Sequence, residues 1–182
     1  MGRLICLMGP TGAGKSVQGD LLAEQYGAVH LSSGKLLRRD SQALARMVDG
    51  RLAPAEEVER VVGEAMNGIP KEQLVVLDGF PRTQSNLRWM DKELPVLGRR
   101  LRRVVLIELD LETSLERLGL RGRADDAPAA VKAKFKLFED ATRPVVEHYR
   151  ELGLLVTVDG RGSIEQVHEE IVAALRKDVL VS

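Results

Sequence analysis

A glycine-rich segment near the start of the chain has the spacing of a phosphate-binding loop. The pattern G-x-x-x-x-G-K-S covers residues 9–16, with an apolar strand pattern before it and a helical pattern after it. Its glycines allow backbone N–H groups to turn toward phosphate oxygens, and the helix start adds a partial positive charge. Lys15 would reach the β- and γ-phosphates, and the Ser16 hydroxyl would ligate magnesium. An ordinary glycine-rich turn is the alternative, but spacing and context together predict a nucleoside triphosphate site.

Charged residues that suit a magnesium ion and a second phosphate group follow later in the chain. Asp78 ends an apolar run, where a carboxylate beside a phosphate loop can hold magnesium through water. The alternative role for Asp78 is a turn residue at the end of a strand. Arg38 and Arg82 have the planar guanidinium fork that binds a phosphate dianion, although either one alone would more often be a solvated surface arginine.

Three further arginines are close together in the sequence. Arg117 and Arg121 are four residues apart, which places them on one face of a helix, and Arg123 follows after one glycine. Three guanidiniums directed at one place repel each other unless an anion lies between them, and a triphosphate in transfer is such an anion. Without a ligand they would form a solvated face. Asp125 and Asp126 are expected to orient these arginines rather than to take part in the chemistry.

The elements that carry these residues alternate between strand and helix patterns. The predicted strands are Leu4–Met8, His30–Leu31, Leu74–Leu77, Val104–Leu109 and Leu154–Val158. Amphipathic helical patterns lie between them, which favours an α/β fold with a parallel five-stranded sheet and helices on both faces. Ligands of such folds lie at the carboxyl ends of the strands. Pro144 is expected to end or kink a helix near Arg143, and Ser163 with Gln166 predicts a capping box.

Length, composition and charge limit the class of protein. The chain has 182 residues, 44% of them hydrophobic, which suits one domain with a real core. Its 27 basic and 27 acidic residues balance, so we expect no nucleic-acid partner, and the basic cluster at 99–103 is read as a solvated segment. A single cysteine excludes a disulfide framework, and no apolar run reaches the roughly 18 residues that cross a membrane. The expected location is cytoplasmic.

Four segments in this order resemble the nucleoside-monophosphate kinase family, which comprises adenylate kinases and UMP-CMP kinases. They are the phosphate loop, L-S-S-G-K-L-L-R at 31–38, D-G-F-P-R at 78–82 and R-G-R-A-D-D at 121–126. The resemblance runs from about residue 4 to residue 170. It implies one domain over 1–182 with a three-layer P-loop NTPase fold, a monophosphate-binding flap at about 31–62 and a very short lid at about 119–127.

The resemblance also implies a reaction and its site residues. The reaction is reversible transfer of the γ-phosphoryl group of ATP to a nucleoside monophosphate by a monomer that requires Mg²⁺. The attacking phosphate oxygen is already anionic, so no general base is expected. The implied catalytic residues are Lys15, Arg82, Arg117, Arg121 and Arg123. Those implied for ATP are Gly9, Pro10, Thr11, Gly12, Ala13, Gly14, Lys15, Ser16, Val17 and Arg117. Those implied for the monophosphate are Ser33, Arg38, Gly79, Arg82, Asn86, Arg123 and Lys134, and those for the metal are Ser16 and Asp78.

The sequence departs from the family pattern at several of these positions. Lys35 replaces an acidic residue near the phosphates, Lys134 replaces an arginine, and the phosphate loop ends in Lys15-Ser16-Val17 rather than K-G-T. Asn86 stands where adenylate kinases have the glutamine that reads the base, which is closer to UMP-CMP kinases. An amide pairs with adenine or a pyrimidine by presenting either end.

Three other functions therefore stay open beside the leading one. AMP is the expected acceptor, and UMP or CMP is the alternative. Lys35, Lys134 and the short lid are also compatible with a nucleotide-binding sensor that has little catalysis. A kinase for another small molecule is a third alternative, against which the D-G-F-P-R segment weighs.

Overall fold

Five short segments form one sheet in which every paired strand is parallel. The computed structural model describes residues 1–40, 53–121 and 126–176. Its strands are β1 (Gly2–Met8), β2 (Val29–Ser32), β3 (Val75–Asp78), β4 (Arg99–Glu108) and β5 (Leu155–Asp159). They lie side by side in the order β2-β3-β1-β4-β5. The predicted five-stranded parallel sheet is thereby confirmed.

Helices connect these strands, as the alternating sequence pattern predicts. The described helices are α1 (Lys15–Tyr26), α2 (Ser33–Arg39), α3 (Ala55–Asn67), α4 (Gln84–Val96), α5 (Leu111–Arg121), α6 (Pro128–Leu137), α7 (Arg143–Glu151) and α8 (Ile164–Leu175). A π-helical turn, Phe138–Thr142, joins α6 to α7, so the break expected near Arg143 takes this form. The capping box of Ser163 and Gln166 at the start of α8 is confirmed.

Side chains on the two faces of the sheet belong to two separate hydrophobic layers. Along β1, Leu4, Cys6 and Met8 point into one layer, while Ile5 and Leu7 point into the other. Helices α3, α4 and α7 cover the first layer, and α1 and α8 cover the second. Removing a side chain of this size from water stabilises the fold by roughly 1.5–3 kcal/mol. Because both faces are covered, the strands are almost continuously apolar rather than alternating.

Strand order determines which loops meet at the carboxyl edge. The central strand β1 lies between β3 and β4, and Leu7 is paired in register with Asp78. The loop that follows β1 therefore lies beside the end of β3, as the sequence predicts for the phosphate loop and Asp78. None of the helices in the described ranges is long and apolar enough to cross a membrane. Residues 41–52 of the expected flap and 122–125 of the expected lid, with Arg123 and Asp125, lie outside the described residues.

One member of the basic cluster at 99–103 is buried, contrary to the sequence-based expectation of a solvated segment. The cluster forms the first half of β4, and Arg99 is only 1% exposed. Its Nη1 donates to the Gln73 carbonyl at 3.0 Å, and its Nη2 donates to the carbonyls of Ile69 and Pro70 at 2.9 and 3.1 Å. Arg99 thus satisfies the backbone of the segment that leads into β3.

We expect Arg99→Met to lower the free energy of unfolding by about 3 kcal/mol, because three carbonyls lose a charged donor at a buried site. Arg100→Met, at the exposed neighbouring position, is the control and should change stability by no more than about 0.5 kcal/mol. Urea unfolding followed by circular dichroism measures both values. Equal midpoints for the two variants would contradict a structural role for Arg99.

Candidate active site

The loop after β1 is held in the conformation that a phosphate-binding loop requires. The predicted residues form this turn and the first turn of α1: Gly9, Pro10, Thr11, Gly12, Ala13, Gly14, Lys15, Ser16 and Val17. Gly9 has φ +148°, and a Cβ there would lie 2.4 Å from the Ile107 carbonyl oxygen, so only glycine fits. Ser114 of α5 donates its hydroxyl to the Thr11 carbonyl at 2.7 Å. The loop is therefore fixed to β4 and α5 around the start of a helix, where anions bind.

Lys15 lies at the centre of the charged groups at this edge. Its ammonium donates to the carbonyls of Gly9 and Pro10 at 2.9 and 2.7 Å. Burial lowers the pKa of Lys15 to about 8, against the opposing charge of Asp78, and the charges of Arg82 and Arg121 lower it further. The Lys15 ammonium is therefore influenced electrostatically by two predicted arginines and by the predicted metal-binding aspartate.

Asp78 offers a buried carboxylate beside the phosphate loop. It is 3% exposed, and Ser16 Oγ donates to its Oδ2 at 2.5 Å. Burial alone would raise the pKa of Asp78, but nearby His30, the charge of Lys15 and the Ser16 hydroxyl bring it to about 2. The group is therefore a carboxylate at neutral pH, and with the serine hydroxyl it forms an oxygen pair at the predicted metal position.

These two oxygen groups fit magnesium bound together with a nucleotide. The described residues contain no cluster of three or more His, Cys, Asp or Glu side chains that could enclose a metal. Magnesium commonly takes only one or two protein oxygens and completes its octahedron with phosphates and water. Ser16 and Asp78 meet that requirement.

Arg82 is oriented by the turn that follows β3. Its Nε donates to the Gly79 carbonyl at 2.5 Å, and its Nη2 donates to Ser33 Oγ at 3.3 Å. Ser33 in turn donates to the Gly79 carbonyl at 2.8 Å. Gly79 has φ +73°, and a Cβ there would lie 2.8 Å from Arg82 Nη2. The backbone of Arg82 is also held, because Thr142 donates its hydroxyl to the Arg82 carbonyl at 3.0 Å.

Arg82 lies near charges of both signs. Burial lowers the pKa of Arg82, Asp78 opposes that effect, and the charge of Arg38 lowers the pKa further. The Arg38 guanidinium lies over Gly34, since a Cβ on that glycine would be 3.4 Å from its Nη1. The structure thus brings together four residues predicted for the monophosphate, Ser33, Arg38, Gly79 and Arg82. Two neighbouring guanidiniums favour an anion between them.

The arginines of α5 are directed to different partners. Arg121 forms a two-point ion pair with Asp126, from Nε at 2.8 Å and from Nη2 at 2.5 Å, and Asp126 is 6% exposed. The expectation that Asp126 orients an arginine is confirmed. Arg117 instead donates to the carbonyls of residues 160–162 after β5, at 2.7, 3.1 and 3.3 Å. Arg117 and Arg121 therefore do not meet at one point in this structure, and their expected convergence on a transferring triphosphate stays a prediction.

Asn86 is buried at the start of α4, with its amide held at both ends. It is 2% exposed, its Oδ1 accepts from the Arg82 backbone N–H at 3.3 Å, and its Nδ2 donates to Glu59 Oε1 at 2.9 Å. Asn86 therefore lies next to Arg82, the arginine predicted to bind the monophosphate. Gln84 is exposed at the first position of the same helix, and Lys134 lies on α6.

Sequence reasoning missed that His30 lies between two carboxylates at the site. No histidine was sought there, because a phosphate nucleophile needs no general base. Its Nδ1 lies 2.7 Å from Asp20 Oδ1, and its Nε2 lies 3.8 Å from Asp78 Oδ2. Lys35 also contacts Asp20, at 3.2 and 3.3 Å, so the positive charge that replaces an acidic residue has a partner of its own on α1. The only sequence signal was a histidine in the short predicted strand His30–Leu31.

A glycine on α1 makes room for this histidine. A Cβ at Gly19 would lie 2.4 Å from His30 Nε2. We expect Gly19→Ala to destabilise the protein by roughly 1–3 kcal/mol through overpacking. The same change in a His30→Ala background should instead be neutral or stabilise by up to about 1 kcal/mol, because alanine favours helix.

Urea unfolding of the four proteins in this double-mutant cycle measures the coupling. Gly119→Ala is the matched control, because that glycine also lies in a helix and a Cβ there would meet nothing within 4 Å. A Gly19→Ala effect that is the same with and without His30 would contradict the packing argument.

Comparison with known proteins agrees with this arrangement. The family model described as adenylate kinase matches residues 7–154. An adenylate kinase of Synechococcus sp. (strain CC9311) is 37% identical, over 96% of this chain and 100% of that protein. Adenylate kinases of Prochlorococcus marinus (strain MIT 9211) and Nocardia farcinica (strain IFM 10152) are 35% and 34% identical, over 94% of this chain and 96% and 98% of theirs. With a family model over most of its length and relatives that align end to end, the chain belongs to the adenylate kinase family.

Proposed function

We propose that this protein transfers the γ-phosphoryl group of ATP reversibly to AMP, giving two molecules of ADP. The observation that carries the proposal is the arrangement at the carboxyl edge of β1 and β3. There Lys15 is held at the phosphate loop, Ser16 of the loop contacts Asp78, and Arg82 is held by the Gly79 carbonyl that follows Asp78. The adenylate kinase relatives support AMP as the acceptor rather than UMP or CMP. They also give no support to a sensor without catalysis or to a kinase for another class of molecule.

The chain contributes position and charge to this reaction rather than acid–base chemistry. The loop at 9–16 binds the triphosphate through its backbone N–H groups, and Lys15 neutralises charge on the β- and γ-phosphates. Arg38 and Arg82 hold the monophosphate, whose oxygen attacks the γ-phosphorus in line. Because this oxygen is anionic near neutral pH, no side chain has to remove a proton. The rate gain then comes from orientation and from electrostatic stabilisation of the transferring group.

Magnesium fits this scheme as the partner of the nucleotide. Ser16 Oγ and Asp78 are the residues that would hold it, directly or through water, since they form the oxygen pair beside the loop. An ion held by these residues would supply neutralisation of phosphate charge. The low pKa of Asp78 keeps its carboxylate available at neutral pH.

Water exclusion completes the proposal. The flap at about 31–62 and the lid at about 119–127 would close over the two nucleotides, because an open site would hydrolyse ATP. Arg117, Arg121 and Arg123 would join the phosphates from the lid side, and Lys134 would add a point charge. We also propose that the protein acts as a monomer in the cytoplasm and has no nucleic-acid partner. Light scattering would measure the mass of the protein in solution and so test the monomer.

We expect transfer from ATP to AMP in a coupled assay, with clearly lower kcat/KM for UMP and CMP. Lys15→Ala should reduce kcat at least about 10²-fold, because the β- and γ-phosphates lose their cation. Removing one hydrogen-bond donor that stabilises a transition state typically has an effect of this size. Lys132→Ala, at an exposed position on α6, is the control and should retain the original rate. A protein that transfers phosphate to none of the three monophosphates would refute the proposed function.

Removal of the metal should stop the reaction. Asp78→Asn should raise the Mg²⁺ concentration needed for half-maximal rate by roughly tenfold or more, because an amide is a weaker metal ligand than a carboxylate. Titration of Mg²⁺ into EDTA-treated enzyme at fixed ATP measures this requirement. Asp91→Asn, exposed on α4, is the matched control. If the Mg²⁺ dependence of Asp78→Asn equalled that of the control, Asp78 would not belong to the metal site.

A further inference from the structure

Helix α3 presents a carboxylate to the start of α4. Glu59 Oε1 accepts from Asn86 Nδ2 at 2.9 Å and from Ser85 Oγ at 3.5 Å. One helical turn later, Gly63 packs against Trp89, since a Cβ on that glycine would lie 3.2 Å from the indole ring. Residues four apart share a helix face, so Glu59 and Gly63 define the contact between α3 and α4. The half-buried carboxylate is therefore oriented by its contacts with α4.

The partners of Asn86 determine which way its amide faces. The Arg82 backbone N–H can only donate, so the amide oxygen must face it. Glu59 as a carboxylate can only accept, so the amide nitrogen must face Glu59. An isolated asparagine can present either end to a base, but this one is not free to flip. The side chain alone is ambiguous, and the glutamate removes the ambiguity.

The pair retains one donor next to one acceptor. Asn86 Nδ2 carries a second hydrogen beyond the one given to Glu59. Both described donors to Glu59 use Oε1, and among the described residues none donates to Oε2. The Asn86 N–H donor and the Glu59 Oε2 acceptor together match a base edge that has an acceptor next to a donor. Amino-substituted bases have that edge, with a ring nitrogen next to an exocyclic N–H, as in adenine and cytosine. A 6-oxo purine presents a carbonyl oxygen there instead, and a carboxylate repels it.

We propose that Glu59 contacts the base of the monophosphate and accepts a hydrogen bond from its exocyclic amino group, so that it selects amino over oxo bases. The inference rests on the proposed function, because it takes the base to lie beyond Arg82 next to Asn86. Glu59 is then a specificity-determining residue for the acceptor nucleotide. It supplies the acceptor that the short Asn86 side chain, committed at both ends, does not.

The test compares AMP with IMP, which differ at this edge of the base. We expect the unmodified protein to prefer AMP strongly in kcat/KM. Glu59→Gln should lower the ratio of AMP to IMP kcat/KM by about tenfold or more, because the neutral amide accepts more weakly from an amino group and can donate to a 6-oxo group. Calorimetric Kd values for both nucleotides should shift in the same direction. Glu56→Gln, exposed on α3, is the matched control and should leave the ratio unchanged.

The outcomes separate this inference from the proposed function. Equal losses of kcat/KM for AMP and IMP would show that Glu59 only supports α3 and α4, and would overturn the proposal. An unmodified protein that uses IMP as well as AMP would overturn it too. If the unmodified protein transferred phosphate to neither, the proposed function would fail, and the Kd ratio of AMP to IMP would still decide the base contact. Should Glu59→Gln not melt cooperatively, Glu59→Ala provides the second variant.

Discussion

Asp78 is a buried negative charge beside the phosphate loop, and the cations Lys15 and Arg82 of the candidate site lie near it. Its carboxylate accepts from Ser16 and opposes the depression of the pKa values of both Lys15 and Arg82. Burying several cations without such a partner would cost several kcal/mol for each ion. The position of Asp78 depends in turn on strand order, because pairing of β1 with β3 puts the end of one strand beside the loop that follows the other. Sheet topology and site electrostatics are therefore parts of one constraint.

The fold, and the position of the loop at 9–16 beside Asp78, could be predicted from sequence because their signals are local. Five apolar runs with helices between them specify a parallel sheet, and the glycine spacing at 9–16 specifies the loop. Side-chain direction depends on partners that are distant in sequence, and it was harder to predict. Arg117 lies on the expected helix, yet its guanidinium contacts carbonyls more than 40 residues away. Arg99 belongs to a basic cluster in sequence, yet it is buried under a loop that sequence spacing cannot locate.

One departure from the family pattern, Lys35, is balanced by its neighbours in this chain. Lys35 would reverse a charge near the phosphates, but Asp20 contacts it and also contacts His30. His30 occupies space that exists only because Gly19 has no side chain. A lysine, an aspartate, a histidine and a glycine at separate positions thus form one packed and charge-balanced unit beside Asp78. Single-residue comparison with a family pattern would judge each of them in isolation, whereas their contacts make them interdependent.

The cations of the site are already paired with acceptors of the protein itself. Lys15 donates to two loop carbonyls, Arg82 to a carbonyl and a hydroxyl, and Arg121 to Asp126. A phosphate that binds them replaces these acceptors, so its affinity reflects only the difference between the two sets of hydrogen bonds. That difference limits how tightly substrates and products bind in their ground states. A reversible phosphoryl transfer benefits from this limit on ground-state binding. Interactions that strengthen only as charge develops on the transferring group raise kcat, whereas interactions that stabilise the ground state and the transition state equally do not.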